Sequence, residues 1–273
     1  MKSYRARRLT LTLVTLLAAG LLAGAWWLGQ VALRPTAIQS GILLFALILG
    51  LLLFNARKKL PFLPLLKAST WLQIHIYVGW LTVLLYALHV GFRWPAGRLG
   101  IVLAVLFLVV AGSGVFGLWL SRWIPPRLTR SGESLIFERI PLLQHRLQAE
   151  AQGVVQQAVE DTQSTTLADF YLKMLGPYLA SKPGLLAPLA DDDREHHRVE
   201  AELRELRRYL DASEIGLADR LGEMIEAKRN LDRQLAGQRL LKVWLFVHVP
   251  LSYGLVALGL VHGWLAISYS GRW

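Results

Sequence analysis

The sequence predicts an all-α protein, an integral membrane helical bundle of about five transmembrane helices with a helical, coiled-coil-like cytoplasmic insert. Two observations predict this fold class. The 273 residues are 54% hydrophobic and only 18% charged, whereas about a quarter of the residues in a typical soluble domain are charged. All 19 acidic residues lie between Glu133 and Asp232. The chain therefore divides into an apolar membrane part and one polar insert.

Five apolar segments are long enough, or nearly so, to cross the hydrocarbon core of a bilayer, which takes about 20 residues. They span 9–29, 38–55, 69–92, 99–121 and 243–269. The second segment is short, and we expect it to be tilted or partly interfacial. The predicted domains are residues 1–123 with the first four membrane helices, residues 124–241 as the insert, and residues 242–273 with the last membrane helix.

The first segment also resembles a signal peptide. "MKSYRARR" precedes the apolar run, and "AGA" at 23–25 has the small-residue pattern of a cleavage site. The apolar run is longer than the core of a usual signal peptide. We therefore expect an uncleaved membrane anchor.

Basic residues near the segment ends predict the orientation, because cytoplasmic loops carry an excess of Lys and Arg. One side has Lys2, Arg5, Arg7, Arg8, Arg57, Lys58, Lys59, Lys67, Arg122, Arg127, Arg130, Arg239 and Lys242, and the other has only Arg34, Arg93, Arg98 and Arg272. The rule places the N-terminus and the insert in the cytoplasm and the C-terminus outside. We expect a multi-pass protein of a bacterial-type inner (plasma) membrane.

The net charge of +11 belongs to the membrane part, because the insert holds 16 basic against 19 acidic residues. We interpret this charge as orientation signals and contacts with lipid headgroups. No nucleic-acid partner is expected. The absence of cysteine excludes disulfides, thiolate metal sites and covalently tethered haem within this sequence.

Two apolar segments have a histidine at each end with the same spacing. "HIYVGWLTVLLYALH" runs from His75 to His89, and "HVPLSYGLVALGLVH" runs from His248 to His262. In a helix, 14 residues rise about 21 Å and end about 40° short of four full turns. Each pair of histidines therefore lies on one helix face. Since the two segments cross in the same direction, His75 should lie level with His248, and His89 with His262.

Ionisable side chains inside a membrane are costly and point to a function. Neutral imidazole is a strong axial ligand of haem iron, and two haem b groups held between these helices would use all four histidines. Gly79 and Gly254 would leave room for a flat ring. The candidate partners of the haem propionates are Arg93, Arg98 and Lys242. The presence of these cations is equally well explained as an orientation signal or as contact with lipid headgroups.

Other interpretations remain open at this point. Each histidine could form a hydrogen bond within a helix bundle, and glycines are common where membrane helices pack. A metal-ion transporter would place its ligands at one depth, usually with carboxylates, which the apolar segments lack. A membrane-anchored signalling or scaffold protein with a coiled-coil output is a further alternative. "GSGVFG" at 112–117 matches a dinucleotide-binding pattern but lies inside an apolar segment with no preceding strand.

The doubled histidine spacing resembles that of the di-haem membrane cytochromes b, which include ferric reductase-like transmembrane domains and the cytochrome b subunits of respiratory complexes. In the ferric reductase group the haem histidines lie on the third and fifth helices. The resemblance covers about 69–123 and 242–270, and it implies that the axial ligands of two haems are His75, His89, His248 and His262.

This sequence differs from the ferric reductase group in two ways. Ferric reductases also carry a flavin- and nicotinamide-binding domain, which these 273 residues do not include, and they have no insert before the fifth helix. We therefore expect an electron-transfer subunit of a larger redox system, without catalytic residues of its own. The expected partners are membrane lipid and a cytoplasmic or periplasmic iron–sulfur protein, flavoprotein or multihaem cytochrome. Quinone is a further candidate.

The insert is predicted to be helical. "REHHRVEAELRELRRYLDA" and "EIGLADRLGEMIEAKRNLDRQLAGQRLLKV" indicate an antiparallel hairpin of coiled-coil type. Its second arm is expected to continue into the last membrane segment, with a bend at Pro250. His145 is expected on the surface. A metal could be bound by His196 and His197 with Asp191, Asp192, Asp193 and Glu195, but adjacent residues face different sides of a helix. A solvated charge run is the favoured interpretation.

Overall fold

The computed structural model describes residues 4–56, 68–129, 139–187 and 193–270. These ranges are helical, with no strand among them. The α-helices are α1 (Tyr4–Val31), α2 (Thr36–Ala56), α3 (Ala68–His89), α4 (Arg98–Thr129), α5 (Ile140–Thr162), α6 (Thr166–Phe170), α7 (Gly176–Ala180), α8 (Arg194–Leu206) and α9 (Ala212–Ser270), with a π-helical turn at Tyr171–Leu175 between α6 and α7.

Some predicted features lie outside the described residues. They are the basic loop with Arg57, Lys58, Lys59 and Lys67, the flanking residues Lys2, Arg130 and Arg272, and the acidic pair Asp191 and Asp192.

Four of the described helices are long and apolar enough to cross a membrane. They comprise Arg8–Val31, Ser69–His89, Arg98–Arg122 and part of Ala212–Tyr269. The apolar part of α2 is shorter, Thr36–Leu52, and would span about 25 Å against a hydrocarbon core of about 30 Å. Among the described residues, the structure therefore shows four helices of full spanning length where the sequence predicted about five, and α2 is the short apolar helix that was expected at the second segment.

The chain divides into two compact units, which we call the bundle unit (Met1–Leu118 with Leu245–Trp273) and the insert unit (Trp119–Trp244). The insert was predicted over 124–241. Helix α9 contributes residues to both units and continues through Pro250 without a break. Proline removes one backbone hydrogen bond from a helix, and next to it the Ser252 hydroxyl donates to the His248 carbonyl at 2.8 Å.

Apolar packing joins helices within the bundle unit. Its core cluster contains Leu44 of α2, Leu85 of α3, Phe107 of α4 and Leu255 of α9. Tyr86 stacks on Phe107 with ring centroids 4.2 Å apart. Four helices thus meet at one cluster, and two of its members lie along the chain between the paired histidines of α3 and α9.

Helix α3 ends at His89 because the chain leaves the helical conformation just after it. Gly91 has φ +62°, and Phe92 follows at +57°. Glycine adopts this left-handed conformation at little cost. The Phe92 N–H then donates to the Ala87 carbonyl at 3.0 Å, which satisfies a carbonyl of the last turn. His89 is therefore held in the final turn of its helix.

The insert unit contains the predicted antiparallel hairpin, formed by α8 and the first half of α9. Leu203 lies 3.7 Å from the position that a Cβ on Gly222 would take, and Arg207 pairs with Asp219 at 2.7 Å. The hairpin is not a free two-stranded coiled coil. Its apolar face shares one core with α5, α6 and α7, including Ala158, Leu167, Leu179, Val199, Leu203 and Leu221.

Candidate functional site

The four histidines singled out by their spacing lie in the bundle unit as two facing pairs, and all four are half-buried. The His89 and His262 rings have centroids 6.4 Å apart, with their planes at 86°. His75 and His248 are close enough to interact electrostatically. The first histidine of α3 thus faces the first of α9, and the second faces the second. The two helices therefore run parallel at the site.

His89 is held by the start of α2. Its Nδ1 lies 3.0 Å from the Ala37 carbonyl oxygen and 3.3 Å from the Ser40 hydroxyl. A carbonyl oxygen can only accept, so the Nδ1 atom must carry the proton. The Nε2 atom of the neutral ring is then left with a free lone pair, which is the form that binds a metal.

His248 is held in the same tautomer by α4. Its Nδ1 lies 2.6 Å from the Ser113 hydroxyl oxygen. That hydroxyl donates its single hydrogen to the Val110 carbonyl at 2.8 Å, so it accepts from His248. Again Nδ1 carries the proton and the lone pair lies on Nε2. The His75 ring also has a backbone hydrogen bond to Leu51 on α2, but not through its Nδ1 atom.

Glycines beside the anchors let the rings approach the neighbouring helices. A Cβ on Gly41 would lie 2.9 Å from His89 Cε1, closer than real Cβ contacts, and one on Gly114 would lie 3.7 Å from His248 Cε1. Of the glycines predicted from the sequence, Gly79 has open space beside it, while a Cβ on Gly254 would meet Leu106 at 4.0 Å. Gly254 therefore adjoins helix packing, and Gly79 lies next to unfilled space one turn after His75.

The His89–His262 separation has the size expected for two imidazoles on opposite sides of one metal ion. Nitrogens bound at about 2.0–2.1 Å each lie about 4 Å apart, which puts the ring centres about 6 Å apart. An edge-to-face contact between two rings has a similar separation. Such a contact, however, gives no reason for the lone pair to lie on Nε2. The Nδ1–H tautomer of His89 and His248, anchored by a carbonyl in one case and a hydroxyl in the other, is typical of metal-binding histidine. The residues present therefore fit a haem held by one histidine from each helix.

The basic residues predicted to lie near the haem propionates are exposed. Arg93 lies in the turn that follows His89, and Arg98 begins α4. Lys242 is exposed as well and belongs to the insert unit. Arg93 and Arg98 thus lie close in sequence to the His89 end of α3.

The insert unit contains a second polar cluster, and it corrects the interpretation of His196 as part of a solvated charge run. His196 is only 3% exposed, and Lys228 is only 1% exposed. Lys228 pairs with Asp232 and donates to the Ser181 carbonyl at 3.0 Å. His197 remains 65% exposed. The hairpin therefore buries charged groups that its sequence pattern places on a polar face.

Burial and neighbouring charges shift the protonation of this cluster. Burial lowers the pKa of His196, and the Arg229 cation lowers it further, against the opposing effect of Glu226 and Glu200. Burial raises the pKa of Asp232, and Lys228 offsets part of that rise. For Asp193 the effect of burial is outweighed by Arg229 and Arg233, so its pKa is lowered. The net effect lowers the pKa of His196, which favours the neutral ring.

The sequence analysis missed the residues that anchor the histidines. Ser40–Gly41 on α2 and Ser113–Gly114 on α4 are both Ser-Gly pairs within apolar helices, and each supplies a serine and a gap to a facing histidine. The recurrence of this pair in two apolar segments was the available signal.

Comparisons with known proteins add no assignment: no family model matches the chain, and neither curated proteins nor solved structures give a match. The resemblance to di-haem cytochromes b stays a prediction.

Proposed function

We propose that this protein carries electrons across a membrane through two haem b groups, each held by one histidine of α3 and one of α9. The observation that supports the proposal is the pairing of one histidine of α3 with one of α9 at two levels, with the Nδ1 atoms of His89 and His248 hydrogen-bonded to neighbouring helices. The proposed ligands are His75 with His248, and His89 with His262.

Bound haem would supply a one-electron redox centre, and the four histidine side chains would hold it. The protein's own residues fix the ligands. The Ala37 carbonyl and the Ser113 hydroxyl hold two of the rings in one tautomer and one orientation. Such hydrogen bonds also raise the basicity of the ligating nitrogen.

The chain between the two levels suits electron transfer better than ion transport. About 21 Å of helix rise separates the paired histidines on each helix. The cluster of Leu85, Phe107 and Leu255 provides apolar packing in the bundle unit. The membrane segments contain no Asp or Glu, and carboxylates are the usual groups of proton relays and transporter sites in membranes.

The proposal includes an orientation and partners. With α2 crossing as a short, tilted fifth segment, the basic residues favour a cytoplasmic insert in a bacterial-type inner membrane, with His89 and His262 toward the outer side. Arg93 and Arg98 would then neutralise haem propionates on that side, and Lys242 would do so on the inner side. The insert would dock an iron–sulfur protein, flavoprotein or multihaem cytochrome, and quinone is a further candidate for exchange within the bilayer.

Removing each membrane histidine should divide the variants into two groups. His89→Ala and His262→Ala should abolish the same spectral component, and His75→Ala and His248→Ala the other, because each pair shares one haem. A redox titration followed by reduced-minus-oxidised absorbance measures this in purified full-length protein. His145→Ala is the matched control, since His145 is an exposed histidine of the insert.

Two results would contradict the assignment. If His75→Ala and His262→Ala removed the same component, the ligand pairs would be wrong. If none of the four changes altered the spectrum, these histidines would not be ligands at all.

Filling the gap at Gly41 should weaken only the site of His89. Gly41→Ala places a methyl group 2.9 Å from the His89 ring, so the ring must move off its anchor. We expect the component lost in His89→Ala to bind haem about 10-fold or more weakly. Gly50→Ala is the control on the same helix, because a Cβ there meets nothing within 4 Å. Equal haem loss in both variants would refute the role given to Gly41.

The orientation is tested by labelling engineered cysteines in intact cells, since the chain has none of its own. A membrane-impermeant thiol reagent should label Cys in Ser270→Cys and leave Ser181→Cys unlabelled until the cells are opened. Labelling of Ser181→Cys from outside would reverse the orientation, and with it the sides assigned to the two haems.

A further inference from the structure

A second group of possible metal ligands lies in the insert unit, apart from the membrane histidines. Three residues of α8, His196, His197 and Glu200, have ligand atoms that all lie within 4.8 Å of one another. Glu226 of α9 faces them, with its Oε1 atom 3.2 Å from His196 Nε2. The group therefore joins the two arms of the helical hairpin.

The Nε2 atom of His196 is the feature that needs an explanation. His196 is 3% exposed, and its Nε2 atom is buried without a hydrogen bond. The Glu226 carboxylate oxygen is near enough for a hydrogen bond, so it is the angle that rules the bond out. The ring nitrogen and the carboxylate oxygen do not point at each other. A buried polar atom without a hydrogen bond is costly. Two ligands of one metal ion have this side-by-side geometry, because both point at the ion.

The spacing of the group also suits a metal ion. Four ligands arranged tetrahedrally at about 2.0–2.1 Å have their donor atoms about 3.3 Å apart. The distances here are 3.2 Å from His196 to Glu226, 3.7 Å from His196 to Glu200 and 3.8 Å from His197 to Glu200. Small side-chain rotations would bring the longer two to the ideal value.

Neighbouring residues hold the ligands as the surroundings of a metal site do. Tyr178 Oη lies 3.4 Å from the other ring nitrogen of His196, so it can accept that N–H. Arg204 donates to the second oxygen of Glu200 at 2.9 Å, and Arg229 donates to Glu226 at 3.3 Å. Metal-bound histidines and carboxylates are commonly fixed by such hydrogen bonds.

We propose that His196, His197, Glu200 and Glu226 bind one divalent transition-metal ion of the zinc type, which ties α8 to α9. Two imidazoles with two carboxylates favour such an ion over calcium or magnesium, which prefer oxygen ligands alone. With four protein ligands the site has no open position, so its role is structural. The proposal is independent of the membrane haems.

Zinc binding to purified full-length protein tests the site. The protein is stripped with EDTA, dialysed against zinc and analysed for metal per chain, beside His196→Gln and Glu226→Gln. Glu226 is 52% exposed, so its isosteric change should leave the fold intact even if His196→Gln disturbs the core. His145→Gln is the control. Any zinc bound by the membrane histidines is the same in all samples, so it does not affect the difference in zinc content between variants.

Wild type and His145→Gln should each bind one more zinc than His196→Gln, and Glu226→Gln should bind that ion about 10-fold or more weakly. Zinc should also slow amide hydrogen exchange in α8 of the wild type. Equal zinc content and affinity in wild type and both ligand variants, or no zinc bound by the wild type beyond that of His196→Gln, would overturn the proposal.

Discussion

The bundle unit depends on hydrogen bonds that fix histidine rings from a neighbouring helix. The Ala37 carbonyl accepts from His89, and the Ser113 hydroxyl accepts from His248. Each bond settles which ring nitrogen carries the proton, and it aims the other nitrogen away from the anchoring helix. An ionisable ring in an apolar bundle would otherwise be a liability. Here the same bond that satisfies the ring also puts the lone pair of the neutral imidazole on Nε2.

Helix packing follows from that arrangement. A glycine follows each anchoring serine. A Cβ on Gly41 would lie 2.9 Å from the His89 ring, so this glycine is needed for the close approach, whereas a Cβ on Gly114 would make an ordinary contact of 3.7 Å with the His248 ring. Between the two levels the helices meet through larger apolar side chains, including Leu85, Phe107 and Leu255.

Sequence reasoning reached the features that depend on period and composition. Long apolar runs predicted helices, and the acidic residues between Glu133 and Asp232 predicted a separate insert. It did not reach features set by contact between distant segments. His196 was placed in a solvated run because neighbouring charges dominate its local sequence. Only the packing of α8 against α5–α7 and α9 shows that this ring is buried.

The central claim, that the paired histidines hold haem, is tested most directly by the cofactor content of the purified full-length protein. A pyridine haemochrome assay, combined with a reduced-minus-oxidised spectrum, measures the amount and type of haem per chain. The account predicts two non-covalent haem b groups with the sharp bands of bis-histidine, low-spin iron, because no cysteine can tether the ring. Finding one haem or none per chain would contradict it.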